Sequence, residues 1–293
     1  MTTCDILLRV FAPFVTDTSP KTQYLTPEEE EMHMCDIMMK HQVVEQNINT
    51  DGLPGYERRH YWLRGTLESP SDDDASSSIE LRVRELCSPE QGTGGRVWHC
   101  SVILARWLHS MGESLLRGRR VLELGAGLGA PGLVAGLFAD EVVLTDFGDV
   151  VHNLQYNVDL NTPSIHTKSQ ASIRAMELDW NRCDEYEEPP ADVVVAAEVV
   201  YSVEMVPALV ATLLRVLHPG GVCYLLQDAS RTGFEEFKQS LTARGMVIKV
   251  LPIPPALSTR QAPGKSEDDN RGSDDEQDIA MDDDNYVLHM IQQ

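Results

Sequence analysis

From residue 119 onward, short apolar runs alternate with stretches of helical periodicity. Val121-Leu-Glu-Leu, Glu141 to Asp146, Ile173 to Leu178, Asp192 to Ala196 and Val222 to Gln227 read as strands. Pro131 to Phe138, Val150 to Leu160, Val203 to Leu217 and Gly233 to Arg244 read as the helices between them. This rhythm predicts an α/β domain, a parallel sheet with helices on both faces. Met246-Val-Ile-Lys-Val-Leu-Pro-Ile and Tyr286-Val-Leu-His-Met-Ile-Gln follow as two more strands with no helix between them, so that pair must be antiparallel. Upstream, Val97 to Ser110 is helical, with Val97, Val102, Leu104, Ala105 and Leu108 on one broad face.

The first 85 residues are less regular. Ile6-Leu-Leu-Arg-Val-Phe and Tyr61-Trp-Leu-Arg-Gly-Thr-Leu are short apolar runs, and Ile79-Glu-Leu-Arg-Val-Arg-Glu-Leu alternates like a half-exposed strand. Glu68-Ser-Pro-Ser-Asp-Asp-Asp-Ala-Ser-Ser-Ser reads as a flexible loop. The chain therefore divides into an N-terminal extension over 1–90, partly β and partly flexible, and a main domain over 91–293. Within the latter, residues 258–284 carry Lys265-Ser-Glu-Asp-Asp-Asn, Ser273-Asp-Asp-Glu-Gln-Asp and Asp282-Asp-Asp with few apolar groups. Too little apolar surface is present to offset ordering entropy, so a disordered acidic insertion is expected.

Composition narrows the partners. At 293 residues and 42% hydrophobic, the chain can bury one large core with additions. A formal charge of −22 opposes phosphate backbones, arguing against direct nucleic-acid binding and for a partner with a basic protein segment. No window approaches the ~18 to 20 apolar residues of a membrane span, and Met1-Thr-Thr-Cys-Asp-Ile-Leu-Leu-Arg lacks a cationic region before an apolar core. A soluble protein of the cytoplasm, the nucleus or both is expected, and a monomer. The six cysteines have neither Cys-x-x-Cys pairs nor histidines at ligand spacing, which argues against a disulfide framework and a zinc site.

The chemistry centres on Val121-Leu-Glu-Leu-Gly-Ala-Gly-Leu-Gly129, a strand that runs into a glycine turn and a helix start. Gly125, Gly127 and Gly129 permit backbone conformations that a Cβ forbids, and Pro131 suits only the first turn of a helix. Asp146 closes the next strand roughly 20 residues on, the distance of a carboxylate that binds ribose hydroxyls. Together these predict a nucleoside-cofactor domain. Gly125, Gly127 and Ala130 also satisfy the dinucleotide pattern, which leaves the cofactor open, while the terminal antiparallel pair points away from a dehydrogenase.

Seven strands ending in an antiparallel hairpin, with a glycine turn after the first, resemble the class I S-adenosylmethionine methyltransferases, whose Rossmann-like, doubly wound sheet has the order 3-2-1-4-5-7-6. Four pieces resemble one subgroup, the family 16 methyltransferases or methyltransferase-like protein lysine methyltransferases. They are Val97-Trp98, Glu123-Leu-Gly-Ala-Gly-Leu-Gly129, Glu177-Leu-Asp-Trp180 and Ala196-Ala-Glu-Val-Val-Tyr201, in the family's order over roughly 95–230. The resemblance implies S-adenosylmethionine as methyl donor, with no metal. It implies Trp98 and Glu123 near the cofactor, Gly125, Ala126 and Gly127 against its methionine moiety, Asp146 on the ribose, Trp180 against adenine with Asp179 beside it, and Ala197 in the pocket wall. Bland readings stand beside these: Trp98 suits a core position at a helix start, Asp146 a helix cap, and Glu198 a strand-end carboxylate bonding nearby backbone.

The family's post-strand signature, Asp or Glu, two residues, then Tyr or Phe, reads here Glu198-Val-Val-Tyr201. It implies Glu198 and Tyr201 as the catalytic pair, Glu198 orienting the acceptor and Tyr201 forming a wall. Lysine-modifying members mostly carry Asp in the first place, and a histidine-modifying relative carries Glu. The implied activity is methylation of lysine on a non-histone protein. A histidine or arginine acceptor, and a non-catalytic binding module of the same fold, are the alternatives.

Overall fold

The computed structural model describes the backbone of residues 47–48, 54–62, 79–86, 89–253 and 286–293, and the side chains of 81–86, 92–253 and 286–293. The apolar run at Ile6, the loop expected at 68–78 and the acidic insertion expected at 258–284 lie outside the described residues. Strands β1 (Asn47–Ile48), β2 (Pro54–Trp62) and β3 (Ile79–Glu85) form a small antiparallel sheet in that order, the β character expected of the extension. A 3-10 turn over Pro89–Gly95 leads to helix α1 (His99–Leu116).

The main sheet follows. Its elements are β4 (Arg120–Leu124), α2 (Ala130–Ala135), β5 (Glu141–Asp146), α3 (Val150–Ile165), β6 (Ser172–Glu177), β7 (Ala191–Ala197), α4 (Val206–Val216), β8 (Leu217–Asp228), α5 (Phe234–Thr242), β9 (Val247–Leu251) and β10 (Tyr286–Gln292). The spatial order β6-β5-β4-β7-β8-β10-β9 is 3-2-1-4-5-7-6 when counted from β4. Strands β4 to β8 pair in parallel, and β10 runs antiparallel to both β8 and β9. Side chains alternate between two cores, as a two-faced sheet demands. Val193 and Val195 of β7 join the core under α1, α2 and α3, whereas Val194 and Ala196 join the core under α4 and α5.

Several elements differ from their sequence patterns, among them β8, which begins at Leu217 rather than Val222. Helix α1 runs on to Leu116 because Gly112 leaves room for the Phe138 ring, which a Cβ there would meet at 2.3 Å. Helix α2 stops at Ala135, and Leu137 and Phe138 instead donate tight i−3 bonds before the chain enters β5. Helix α3 continues through Pro163 to Ile165, although Asn161-Thr-Pro resembles a stop.

Asn161 is occupied elsewhere, and that explains the continuation. Asn153, Asn157 and Asn161 recur every four residues, so they share one face of α3. Asn161 accepts from Arg82 N (2.8 Å) and donates to Arg82 O (2.6 Å), Asn157 accepts from Arg84 N (2.8 Å), and Asn153 donates to Arg84 O (3.1 Å). The edge of β3 that β2 does not pair is thus completed by amide side chains rather than by another strand. Strand β3 is more buried than its alternation suggests: Arg82 is exposed, but Arg84 and Glu85 are buried along with Leu81 and Val83. The Arg84 Nε donates to Asn153 Oδ1 (2.7 Å), and its guanidinium lies 3.6 Å from the centre of the Tyr156 ring. Asn157 Nδ2 also donates to Leu128 O (3.3 Å), inside the glycine turn.

Replacing Asn157 with Ala strands Arg84 N and Leu128 O in a buried site. A loss of about 1–3 kcal/mol is expected. Urea unfolding would register it as a lower midpoint with an unchanged slope.

Candidate active site

The C-terminal edge of the parallel strands gathers most of the residues singled out above, as open α/β sheets do where their strand order reverses. Gly125 and Gly127 both have positive φ (59° and 54°). A Cβ on Gly125 would stand 2.9 Å from Val199 Cγ1 and 3.5 Å from Trp180 Cζ2. A Cβ on Gly127 would stand 3.4 Å from Gly94 O. The turn is therefore flanked by Trp180 and Val199 on one side and by the 93–98 segment on the other. That segment is anchored by Leu86 N, which donates to Gly95 O (2.9 Å), and by Val97 N, which donates to Glu85 Oε1 (2.9 Å). Trp98 belongs to it: its indole N–H is donated to Thr93 O (2.8 Å), and its ring packs in part on the core.

Asp146 ties β5 to this turn. Its Oδ2 accepts from Gly127 N (2.6 Å) and its Oδ1 from Phe147 N (2.7 Å), which leaves each oxygen able to accept once more. Burial pushes its carboxyl above the ordinary value, opposed by those two amides. Glu123 lies beneath the turn. Its Oε2 accepts from Gly132 N in the first turn of α2 (2.8 Å), and burial, helped by the charge of Asp146, pushes its carboxyl well up. The Glu123 carboxylate is thereby directed at the helix start. Ala126 is buried, with its N–H donated to Thr145 O (2.9 Å).

Asp179 accepts from Asn181 N (2.9 Å) and from Arg182 Nε (3.1 Å), which caps the 3-10 turn Trp180–Glu185 and lowers its carboxyl. That cap fixes Trp180 at the start of the turn. Ala197 ends β7, half-buried against the core under α1.

Glu198 is the one described residue other than glycine with positive φ (55°), a conformation that costs of order 1–3 kcal/mol. Several bonds hold it there. Glu198 N donates to Leu226 O (2.9 Å), Asp228 N donates to Glu198 Oε1, and Arg231 Nε donates to Glu198 Oε2 (2.9 Å). Next to it, the buried Gln227 carboxamide accepts from Val200 N (3.1 Å) and donates to Val200 O (2.9 Å). Burial raises the Glu198 carboxyl, opposed by Asp228 N and Arg231. Tyr201 stands 56% exposed, close enough to Asp146 that the carboxylate adds to the upward shift that burial gives its phenol.

The bland reading of Glu198 thus describes its backbone bonding correctly, yet the strained turn places it next to Val199, which faces Gly125. Gln227, Arg231, Gly94 and Phe147 were not anticipated. Only Gly94 had a signal, the cluster Gly92-Thr-Gly-Gly95 ahead of Val97-Trp98. A glycine turn with an indole beside it and a carboxylate with spare acceptor capacity suits a nucleoside with hydroxyls to donate, as in S-adenosylmethionine.

A family model described as lysine methyltransferase matches residues 75–244, more than half of the chain. The chain belongs to this family of methyltransferases. It is similar to a Danio rerio protein named protein N-lysine methyltransferase METTL21A, at 36% identity over 52% of this chain and 66% of that one. It is similar to mouse EEF1A lysine methyltransferase 3, at 31% identity over 50% of this chain and 60% of that one. A rat protein named histone-arginine methyltransferase METTL23 is 27% identical over 50% of this chain and 63% of its own length. The chain spans less than two thirds of each of these relatives.

Two outcomes follow for the methyltransferase turn. Folded Glu123 holds its proton above the ordinary value of 4.5, so between that value and its folded value the folded chain binds more protons than the unfolded one. Stability then falls as pH rises through that window. Glu123→Gln, which keeps an acceptor for Gly132 N, is expected to be increasingly more stable than wild type as thermal unfolding is followed from pH 5 to pH 8. Asp146→Ala is expected to abolish S-adenosylmethionine binding in calorimetry; undiminished binding would remove Asp146 from the cofactor site.

Proposed function

We propose that this protein transfers a methyl group from S-adenosylmethionine to a lysine side chain of a non-histone protein. One observation carries the reading. The segment Glu198-Val-Val-Tyr201 meets the glycine turn, with Val199 Cγ1 facing Gly125 and Tyr201 within electrostatic reach of Asp146. The lysine methyltransferase family and the names of two relatives support the acceptor.

When bound, S-adenosylmethionine supplies a methyl on a sulfonium, already activated for displacement. The chain's own task is positioning. Asp146 would accept from ribose hydroxyls with the lone pairs that Gly127 and Phe147 leave, and Trp180, beside Gly125, would stack on adenine. Glu198 orients the acceptor nitrogen, and Tyr201 walls its path. A lysine must lose a proton before it can attack. From a reference value of ~10.4, that costs roughly 4.6 kcal/mol at pH 7, part of which desolvation against Tyr201 offsets.

The substrate segment is proposed to be basic. The net charge of −22 supports this, as do the acidic runs within 258–284 of the sequence. An arginine acceptor is the second reading, favoured by the resemblance to METTL23.

Labelled S-adenosylmethionine incubated with a cell extract, followed by mass spectrometry, is expected to yield methyl-lysine. Glu198→Ala is expected to slow labelling by roughly a hundredfold, the scale of a misplaced reactant. Methyl-arginine or methyl-histidine without methyl-lysine would overturn the acceptor, and equal labelling by the variant would remove Glu198 from the reaction.

A further inference from the structure

Arg231 takes no part in the reading above, yet it reaches the same carboxylate. It sits in the connection between β8 and α5, where its N–H is donated to Asp228 O (3.2 Å) and its carbonyl accepts from Phe234 N (3.2 Å). Ser230 locks the start of that connection by donating N–H (2.8 Å) and Oγ–H (2.7 Å) to Asp228 Oδ1. From this frame the Arg231 Nε–H reaches Glu198 Oε2 at 2.9 Å, with the Glu198 side chain 7% and the Arg231 side chain 42% exposed. The buried end of the pair is the carboxylate, and the cation comes to it from solvent.

The groups around Glu198 come from three further elements. Asp228 ends β8, Cys100 lies on α1, and Tyr286 begins β10. Burial pushes both the Cys100 thiol and the Tyr286 phenol up, so neither adds a charge near neutral pH. Of the charged neighbours, Asp228 repels the Glu198 carboxylate and Arg231 attracts it. Asp228 N occupies Oε1 and Arg231 occupies Oε2, so the carboxylate plane is fixed and each oxygen keeps one acceptor direction.

We propose that Arg231 is a positioning residue for methyl transfer: its guanidinium fixes the Glu198 carboxylate in one ion-paired orientation for the incoming acceptor. The role rests on the methyltransferase reading given above. It is distinct from holding the fold, because the partner is a partly exposed arginine in a connection whose backbone is secured by Asp228 and Ser230.

The test has two arms, each run on wild type, Arg231→Met and Arg231→Lys. The first follows the Glu198 carboxyl by carbon NMR of glutamate-labelled protein, assigned by its loss in Glu198→Gln. The second measures initial methyl labelling of a cell extract at saturating S-adenosylmethionine from pH 6 to pH 9, with cofactor affinity taken from calorimetry. In Arg231→Met the Glu198 titration is expected to rise by about one unit or more. The acid limb of the rate profile is expected to move up with it, the rate on that limb falling by up to tenfold for each unit the titration rises. Cofactor affinity should stay unchanged, and Arg231→Lys should lie between the two. An unmoved Glu198 titration overturns the proposal whatever the activity. A shifted titration with an unchanged rate profile also overturns it, as does a faster variant, which would show Arg231 standing in the acceptor's place. A wild type that binds S-adenosylmethionine but labels nothing at any pH would instead defeat the methyltransferase reading itself.

Discussion

Where parallel strands end, their last amides and carbonyls lose the partners that the sheet supplied, and this site is built from the side chains that replace those partners. Thr145 donates to Glu123 O (2.6 Å) and Asp146 accepts from Gly127 N (2.6 Å), so β5 closes the end of β4. Gln227 serves both backbone groups of Val200, so β8 closes the end of β7. Glu198 returns the service by accepting from Asp228 N. Unpaired buried backbone groups cost free energy on the scale of a lost hydrogen bond, which compels each strand end to adopt one conformation. The glycine turn and the strained Glu198 are two consequences of that constraint.

The same need extends the site into the N-terminal segment. The free edge of β3 is satisfied by the asparagines of α3, and Asn157 passes the connection on to Leu128 O in the glycine turn. From the end of β3, Glu85 and Leu86 fasten the segment that brings Gly94 over Gly127. Hydrogen bonds therefore cross the division drawn at residue 90 just where the cofactor turn is covered. Residues upstream of 90 thereby hold the segment that lies against the glycine turn.

How much of this could be read from the chain follows from which interactions are local. The sheet was legible because two-faced burial forces each strand into an apolar run such as Val121-Leu-Glu-Leu, and because the glycines of a tight turn have no substitute. The order 3-2-1-4-5-7-6 came through resemblance, supported by the lack of a helical pattern in the sequence between its last two apolar runs. The amide row on α3 was not legible: Asn161-Thr-Pro carries every local sign of a helix end, and only the edge of β3, 79 residues away, makes continuation favourable. Arg231 gave no signal for the same reason, since its partner lies 33 residues upstream, just past the end of β7. Asp146 and Trp180 were legible as types at a spacing, whereas the double use of Asp146, on Gly127 and Phe147, needed coordinates.

Three carboxylates, Glu123, Asp146 and Glu198, are pushed up by burial at one edge of the sheet, and each is compensated differently. Glu123 has one backbone amide and sits deepest, Asp146 has two amides, and Glu198 has an amide and a guanidinium. The grading matters for an amine acceptor. A bare buried carboxylate would stabilise the ammonium form and oppose the loss of its proton. A carboxylate already paired with Arg231 exerts a weaker field on a third charge while its remaining lone pairs still direct an N–H. The long-range attraction of an acidic chain for a basic segment and the local neutrality of the Glu198–Arg231 pair therefore act at different distances. In the proposed reaction the first gathers a cation, and the second lets that cation become a nucleophile beside the glycine turn.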